Sequence, residues 1–345
     1  MAQDNPAMID SLKLLSHLLF SELEDDAGRT LADAARIELA ASALDWMAVK
    51  PAGRPKVRAR KLATASGDLA TVEIVNDDMP FLVDSIIGEV HAQGLHARLV
   101  LHPIIKVQRG DDGQLERIIG AGDRNWGDGH QESLIVVLLD DIGQARVEAL
   151  VAAIEQTLAD VRVAVSDWQS MLSRFDRVIQ ALESNPPPIA PGLLTESLAF
   201  LRWLRDGQFT FLGCREYRLA DSGAASEQVP VAGTGLGVLR DPSVHVLSRG
   251  GDALVMTPEI RKLLLNPQPL IIAKSNIMSR IHRRVYMDYV GIKTFDVQGA
   301  LSGELRLVGL FTSQAYTQPA RLIPDRKSTR LNSSHIQKSR MPSSA

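Results

Sequence analysis

Few residues of this chain have the types and spacing that chemistry needs. A dinucleotide site requires a Gly-rich turn between a strand and a helix, so that backbone amides can approach a pyrophosphate. The candidate is GTGLG at 233–237. It runs into VLRDPS, which contains a proline, shows no helical period and lacks the lysine–serine ending of a phosphate loop. A flexible loop is the expectation there. His91, His96 and His102 are close in sequence, but His91 falls in a helical pattern and His102 in a strand. No cysteine or acid stands beside them at ligand spacing, so no metal centre is expected.

Cys214, the single cysteine, lies among large apolar residues. A nucleophile would need an activating base or cation to become thiolate, and within an apolar strand this cysteine reads as a buried, inert thiol. A basic group formed by Lys274, Arg280, His282, Arg283, Arg284 and Lys293 could grip a phosphate, a carboxylate effector or an acidic neighbouring domain. A solvated strand face is the plainer account of it. The acidic pair Asp77–Asp78 could hold an effector's amino group, but an ordinary helix N-cap is the plainer account of it.

The elements that would position these residues are legible from period. Residues 29–48 are alanine-rich with Leu31, Ala35, Leu39 and Trp46 near one face, which predicts a helix. TVEIV (71–75) alternates as a strand, NDDMP (76–80) turns, and FLVDSIIGEVHAQG (81–94) has helical spacing with Gly94 placed to end it. Pro80 is expected in the first helical turn, after an Asp78 cap. Residues 97–108 read as one strand and 117–119 as its partner after a Gly-rich turn, while 132–140 read as a strand covered on both faces. From 143 to 184 a heptad seam runs through Val147, Val151, Ile154, Leu158, Val161, Val165, Trp168, Leu172, Phe175, Ile179 and Leu182, which predicts one long helix.

SNPPPIAPG (184–192) forbids helix and reads as a stiff linker. Beyond it a helix is expected at 194–207 with Thr195 as its cap. Strands are expected at 209–219, 237–240, 270–275, 283–296 and 304–313, with a loop at 222–228 and a helix near 258–265. The Ser- and Lys/Arg-rich end has too little apolar surface to fold and resembles translated vector sequence, so 326–345 reads as a non-native disordered tail. The order predicts an α+β fold: an N-terminal helical segment (1–50), then two ferredoxin-like sheet-and-helix domains (51–185 and 193–325) joined by the long helix and the Pro-rich linker (186–192).

Composition narrows the function classes. The 345 residues suit about two domains. A net charge of -3, from 38 basic and 41 acidic residues, argues against a nucleic-acid partner. No apolar run approaches a membrane span and no secretory signal is evident, so a cytoplasmic protein is expected. One cysteine excludes an intrachain disulfide and suits a reducing compartment.

Two resemblances add to this. NDDMPFLVDSI (76–86) resembles the first loop and helix of ACT domains, regulatory modules that often bind amino acids. In their pattern, Asp-x-Pro-Gly-Leu-Leu, Asp78, Pro80, Leu82 and Val83 match, and Phe81 replaces the glycine. The resemblance implies that a small residue there lets a ligand approach the backbone, which a phenyl ring would hinder. On a wider scale, IVNDDMPFLVDSI, HPIIKVQR, ESLIVVLLD, VSDWQSM, FLRWLRDGQFTFLGCREY, KSNIMSRIHRRVYMDYVGIKTFD and GELRLVGLFTSQAYT resemble the large bacterial NAD-specific glutamate dehydrogenases, collinearly from about residue 10 to 325. That resemblance implies ACT-like domains preceding a distant catalytic domain with a Rossmann fold. It also implies NAD as cofactor of the complete enzyme, homo-oligomeric assembly, and no catalytic, cofactor-binding or metal residue within this chain. Asp78, Pro80, Arg283 and Arg284 are then the candidate contacts for an amino-acid effector. A free-standing amino-acid sensor is the alternative.

Overall fold

The computed structural model describes residues 6–21, 31–64, 67–123, 131–140, 143–220, 227–246 and 268–317. The helix expected near 258–265 and the tail expected at 326–345 lie outside the described residues. The chain folds as two compact units: Met1–Val161 with Arg280–Arg284, and Arg162–Ser279 with Val285–Ala345.

The first unit begins with helices α1 (Pro6–Phe20) and α2 (Asp33–Met47). Strands β1 (Lys56–Leu62) and β2 (Leu69–Asp77) follow, then α3 (Leu82–Ala92), then β3 (Ala97–Leu101), β4 (Ile104–Arg109), β5 (Leu115–Ala121) and β6 (Gln131–Asp140). The sheet is antiparallel in the order β1-β2-β6-β4-β5, with β3 also on β6. The segment expected as one strand over 97–108 is broken at His102–Pro103. Proline has no N–H to give the ladder, and the two pieces pair with successive stretches of β6 instead.

Both central strands are covered on both faces. On one side Val75, Leu134, Val136 and Leu138 pack with Leu15 and Leu19 of α1 and Leu39, Ala43 and Met47 of α2. Side chains alternate along a strand, so Val72, Ile74, Ile135 and Val137 point the other way, and they too are buried. Ile86 and Val90 of α3 and Leu150, Ile154 and Leu158 of the next helix are buried as well. Helix α3 ends as expected: Gly94, at φ 69°, donates to the His91 carbonyl, and Leu95 donates to that of Val90.

Helix α4 (Gln144–Ser184) is continuous over 41 residues. Its buried stripe departs from the predicted seam. Leu150, Ala164, Asp167 and Met171 are buried, whereas Trp168 is 46% exposed. The offset is local: Asp167, held by the Gly237 N–H and by Arg240, takes the inward position of this turn. The predicted seam resumes beyond Trp168, with Leu172, Phe175, Ile179 and Leu182 buried.

In the second unit the later part of α4 packs with α5 (Pro191–Trp203) on one face of a second sheet. That core holds Met171, Phe175 and Ile179 of α4 and Leu198, Phe200 and Leu201 of α5. Helix α5 starts earlier than expected, with Pro191 in its first turn, and Thr195 sits inside it donating to the Pro191 carbonyl. The strands are β7 (Phe209–Ala220), β8 (Glu227–Pro230), β9 (Leu236–Gly237), β10 (Leu270–Met278), β11 (Tyr286–Phe295) and β12 (Leu301–Phe311), and a short helix α6 (Ser313–Thr317) follows. The antiparallel order is β10-β11-β12-β7-β8, with β9 on β7. The strand expected over 237–240 is reduced to Leu236–Gly237, and part of the expected 222–228 loop is β8.

The outward placement of Trp168 is testable by urea unfolding. Phe175, fully buried among aromatic and aliphatic neighbours, is expected to cost about 3–5 kcal/mol on substitution by alanine. Trp168→Ala is expected to stay within about 0.5 kcal/mol of the parent. A large loss at Trp168 would restore the unbroken seam.

Candidate functional site

The loop between β2 and α3 carries the residues that the sequence marked for an effector. Asp78 does not cap the helix. Its Oδ1 accepts the Ser133 hydroxyl at 2.6 Å, and Ser133 Oγ lies 3.0 Å from His102 Nε2. The serine proton is committed to the carboxylate, so the imidazole nitrogen is the donor of the second bond. Ser133 has no exposed surface, and the chain of bonds ties the loop to β6 rather than activating a nucleophile. The signal for Ser133 in the sequence is weak: one hydroxyl at the start of an apolar run.

Pro80 leads into Phe81, the residue that precedes α3, whose φ of 72° and ψ of 2° are left-handed. The position occupied by glycine in the ACT pattern therefore keeps the backbone shape that glycine favours, with a phenylalanine in it. For an L side chain this costs about 1–2 kcal/mol. Local contacts hold it: Ser85 N–H and Ser85 Oγ–H both donate to the Phe81 carbonyl, at 3.1 and 2.5 Å.

The basic residues that were grouped in the sequence separate in space. Lys274 pairs with Asp288 across β10 and β11 at 2.6 Å. Arg280, His282, Arg283 and Arg284 belong to the segment that folds with the first unit. There Arg280 meets Asp160 at 3.4 Å, His282 meets Asp84 at 2.8 Å and Arg284 meets Glu89 at 3.0 Å. Thr157 Oγ1 also donates to Glu89. Burial raises the Asp160 carboxyl above its ordinary range, opposed by its hydrogen bond from Gln156 and by Arg280. Asp78 thus sits at the head of α3, while Arg284 is engaged in its last turn.

The glycine-rich turn holds one of the chain's own carboxylates. Gly237 N–H donates to Asp167 Oδ2 at 2.8 Å, and Arg240 Nε lies 3.1 Å from the same oxygen. Gly237 has φ 58°, and a Cβ there would meet the Leu212 carbonyl oxygen at 2.1 Å. The turn continues into further turns against β7, not into a helix. Among the described residues, no group of His, Cys, Asp and Glu has metal-ligand geometry. No helix among them is long and apolar enough to cross a membrane.

The second sheet buries a polar network on the face away from its apolar core. The Tyr289 hydroxyl donates to Glu304 Oε1, and Arg306 Nε donates to Oε2 at 3.1 Å. The Arg306 guanidinium lies 3.7 Å from the centre of the Tyr217 ring. Gly291 makes room for this: a Cβ there would fall 2.0 Å from Glu304 Oε1. Lys293 stands opposite Glu304 in register and is 2% exposed. Burial pushes its ammonium down to about 8, with Glu304 acting in the opposite direction. Cys214 is buried in the core, which pushes its thiol up to about 11.

Antiparallel sheets covered by helices, with a left-handed turn leading into the first helix, define ACT-like sheet-and-helix modules. Residues 13–154 match the family described as the glutamate dehydrogenase ACT1 domain. The NAD-specific glutamate dehydrogenase of Halomonas elongata is 31% identical over 255 residues, covering 73% of this chain and 16% of that protein. The enzyme of the same name from Pseudomonas aeruginosa is 33% identical over 257 residues, covering 73% of this chain and 15% of that protein. That of Mycobacterium tuberculosis is 25% identical over 279 residues, or 80% of this chain and 16% of that protein. The chain is thus similar to NAD-specific glutamate dehydrogenases over 73–80% of its residues, and the match to the ACT1 domain is confined to 13–154. It spans only 15–16% of the length of these curated relatives.

Two titrations test the buried groups. Lys293 binds its proton less tightly in the folded state, so between about pH 8 and 10.5 the unfolded chain holds more protons and stability should rise with pH. Lys293→Met should flatten that rise in denaturant melts across the window; an identical slope would show that Lys293 does not carry it. The Cys214 thiol should resist a disulfide reagent at pH 8 in the native chain and react on unfolding. Fast native labelling would contradict its burial.

Proposed function

We propose that this chain is a regulatory and assembly part of an NAD-dependent glutamate dehydrogenase. The complete enzyme would convert L-glutamate, NAD and water to 2-oxoglutarate, ammonium and NADH in the cytoplasm. The hydride-transfer machinery and the NAD site would lie outside these residues, and the chain would associate with itself and with the catalytic domain. The observation that carries the reading is the ACT1 match over 13–154, together with 31–33% identity to enzymes of that name. The local geometry agrees: the Gly-rich turn is closed by Asp167 and leads into no helix, so it supplies no pyrophosphate cradle.

A second reading, an amino-acid sensor, is favoured by the same ACT match. On it, Asp78, Pro80, Arg283 and Arg284 would contact the effector, and Asp78 would have to leave Ser133 to do so.

The purified chain is expected to form no NADH from glutamate and NAD; turnover would refute the assignment of the chemistry elsewhere. A thermal-shift and calorimetric screen of the twenty amino acids separates the two readings. Silence supports the scaffold. Sub-millimolar binding that Asp78→Ala abolishes supports the sensor.

A further inference from the structure

Residues 280–284, Arg-Ile-His-Arg-Arg, leave the β10 ladder as a loop whose base is closed by the Ser279 N–H donating to the Val285 carbonyl at 2.8 Å. The loop does not lie idle. Three basic side chains each meet an acid: Arg280 with Asp160, His282 with Asp84, Arg284 with Glu89. Between the first two, Ile281 is an apolar anchor with 1% exposure. The backbone joins in, since His282 N–H donates to Ser85 Oγ at 2.9 Å. The His282 and Phe81 rings lie 5.4 Å apart.

Helix α3 is shaped for this contact. Ser85, Gly88 and Glu89 are three and four apart and share a face. A Cβ on Gly88 would come within 3.1 Å of Arg284 Cγ, so the small residue lets the arginine stem lie on the helix. The acids come from both helices of the surface, Asp84 and Glu89 from α3 and Asp160 from α4, and they match the alternating Arg-x-His-x-Arg pattern.

The attachment is built to be reversible. Two of its three ion pairs are substantially exposed: Arg280 at 46%, and His282 and Asp84 at 35% and 59%. Such pairs contribute little in water. Both residues of the ring contact hold left-handed backbones, Phe81 at φ 72° and His282 at φ 63°. Conformations of this kind persist only where surrounding contacts impose them, and they cluster at switch regions.

We propose that the Asp84–Glu89–Asp160 surface is a recognition site for a basic Arg-Ile-His-Arg-Arg segment, and that residues 280–284 occupy it as a releasable latch. This goes beyond the glutamate dehydrogenase reading and does not depend on it. Opening frees three arginines for trypsin, and the cleavage rate follows the open population when closing is fast.

The test is timed trypsin digestion of the full chain, with cleavage after Arg280, Arg283 and Arg284 followed by mass spectrometry. The parent should be cut slowly there. D84N/E89Q should accelerate cleavage at these bonds by about tenfold or more, as expected for loss of local protection, with circular dichroism unchanged. A parental rate in a folded D84N/E89Q chain would overturn the proposal. If that variant loses its fold, R280A/R284A, which changes only the loop, decides the matter at the bond after Arg283: acceleration supports the latch, and a parental rate there overturns it.

Discussion

A carboxylate removed from water must be answered by donors within reach, and both units are organised around that requirement. Glu73 has no exposed surface and is held by Arg58 Nε, Arg60 Nε and the Ser42 hydroxyl, at 2.7, 2.8 and 3.1 Å. Glu132 is gripped by Arg109 through two nitrogens, at 2.7 and 2.8 Å, the fork geometry that makes arginine the stronger partner. Asp167 is met by Arg240 and a backbone amide, and Glu304 by Arg306 and Tyr289. Removing one partner of such a buried pair costs about 3–5 kcal/mol, because the other charge is left stranded. Arg109 and Glu132 lie on the neighbouring strands β4 and β6, and Tyr289 and Glu304 on β11 and β12, so these contacts cross between strands. Ser42 belongs to α2 and Glu73 to β2, so this one carboxylate sets how the helix lies on its strand.

The same requirement governs the residues whose types could have served chemistry. Groups that could have served chemistry are consumed internally: the Gly-rich turn by Asp167, Asp78 by Ser133, Glu89 by Arg284 and Thr157. The left-handed Phe81 keeps the backbone shape that glycine favours at that place in the ACT pattern.

Of the candidate site, the sequence showed the loop and its residue types but not their partners. Asp78, Pro80 and Phe81 stood out because the Asp-x-Pro pattern is contiguous. Ser133 and His102 did not, because each looks ordinary within its own strand. The basic residues of 274–293 read as one group since they are neighbours along the chain. Strand pairing sends Lys274 to Asp288, while the 280–284 loop turns to α3 and Lys293 stands opposite Glu304.

What the residues determined unaided is what depends on near neighbours. The alternation of β2, the unbroken apolar run of β6, the Gly94 stop after α3 and the length of α4 all follow from periods of two and 3.6 and from single-residue backbone preferences. Only the tertiary structure decided the rest. It placed Asp167 rather than Trp168 on the inward side of α4, split 97–108 where Pro103 cannot donate, and chose which arginine answers which carboxylate. Those choices join residues far apart in sequence, and no local pattern carries the distance between them.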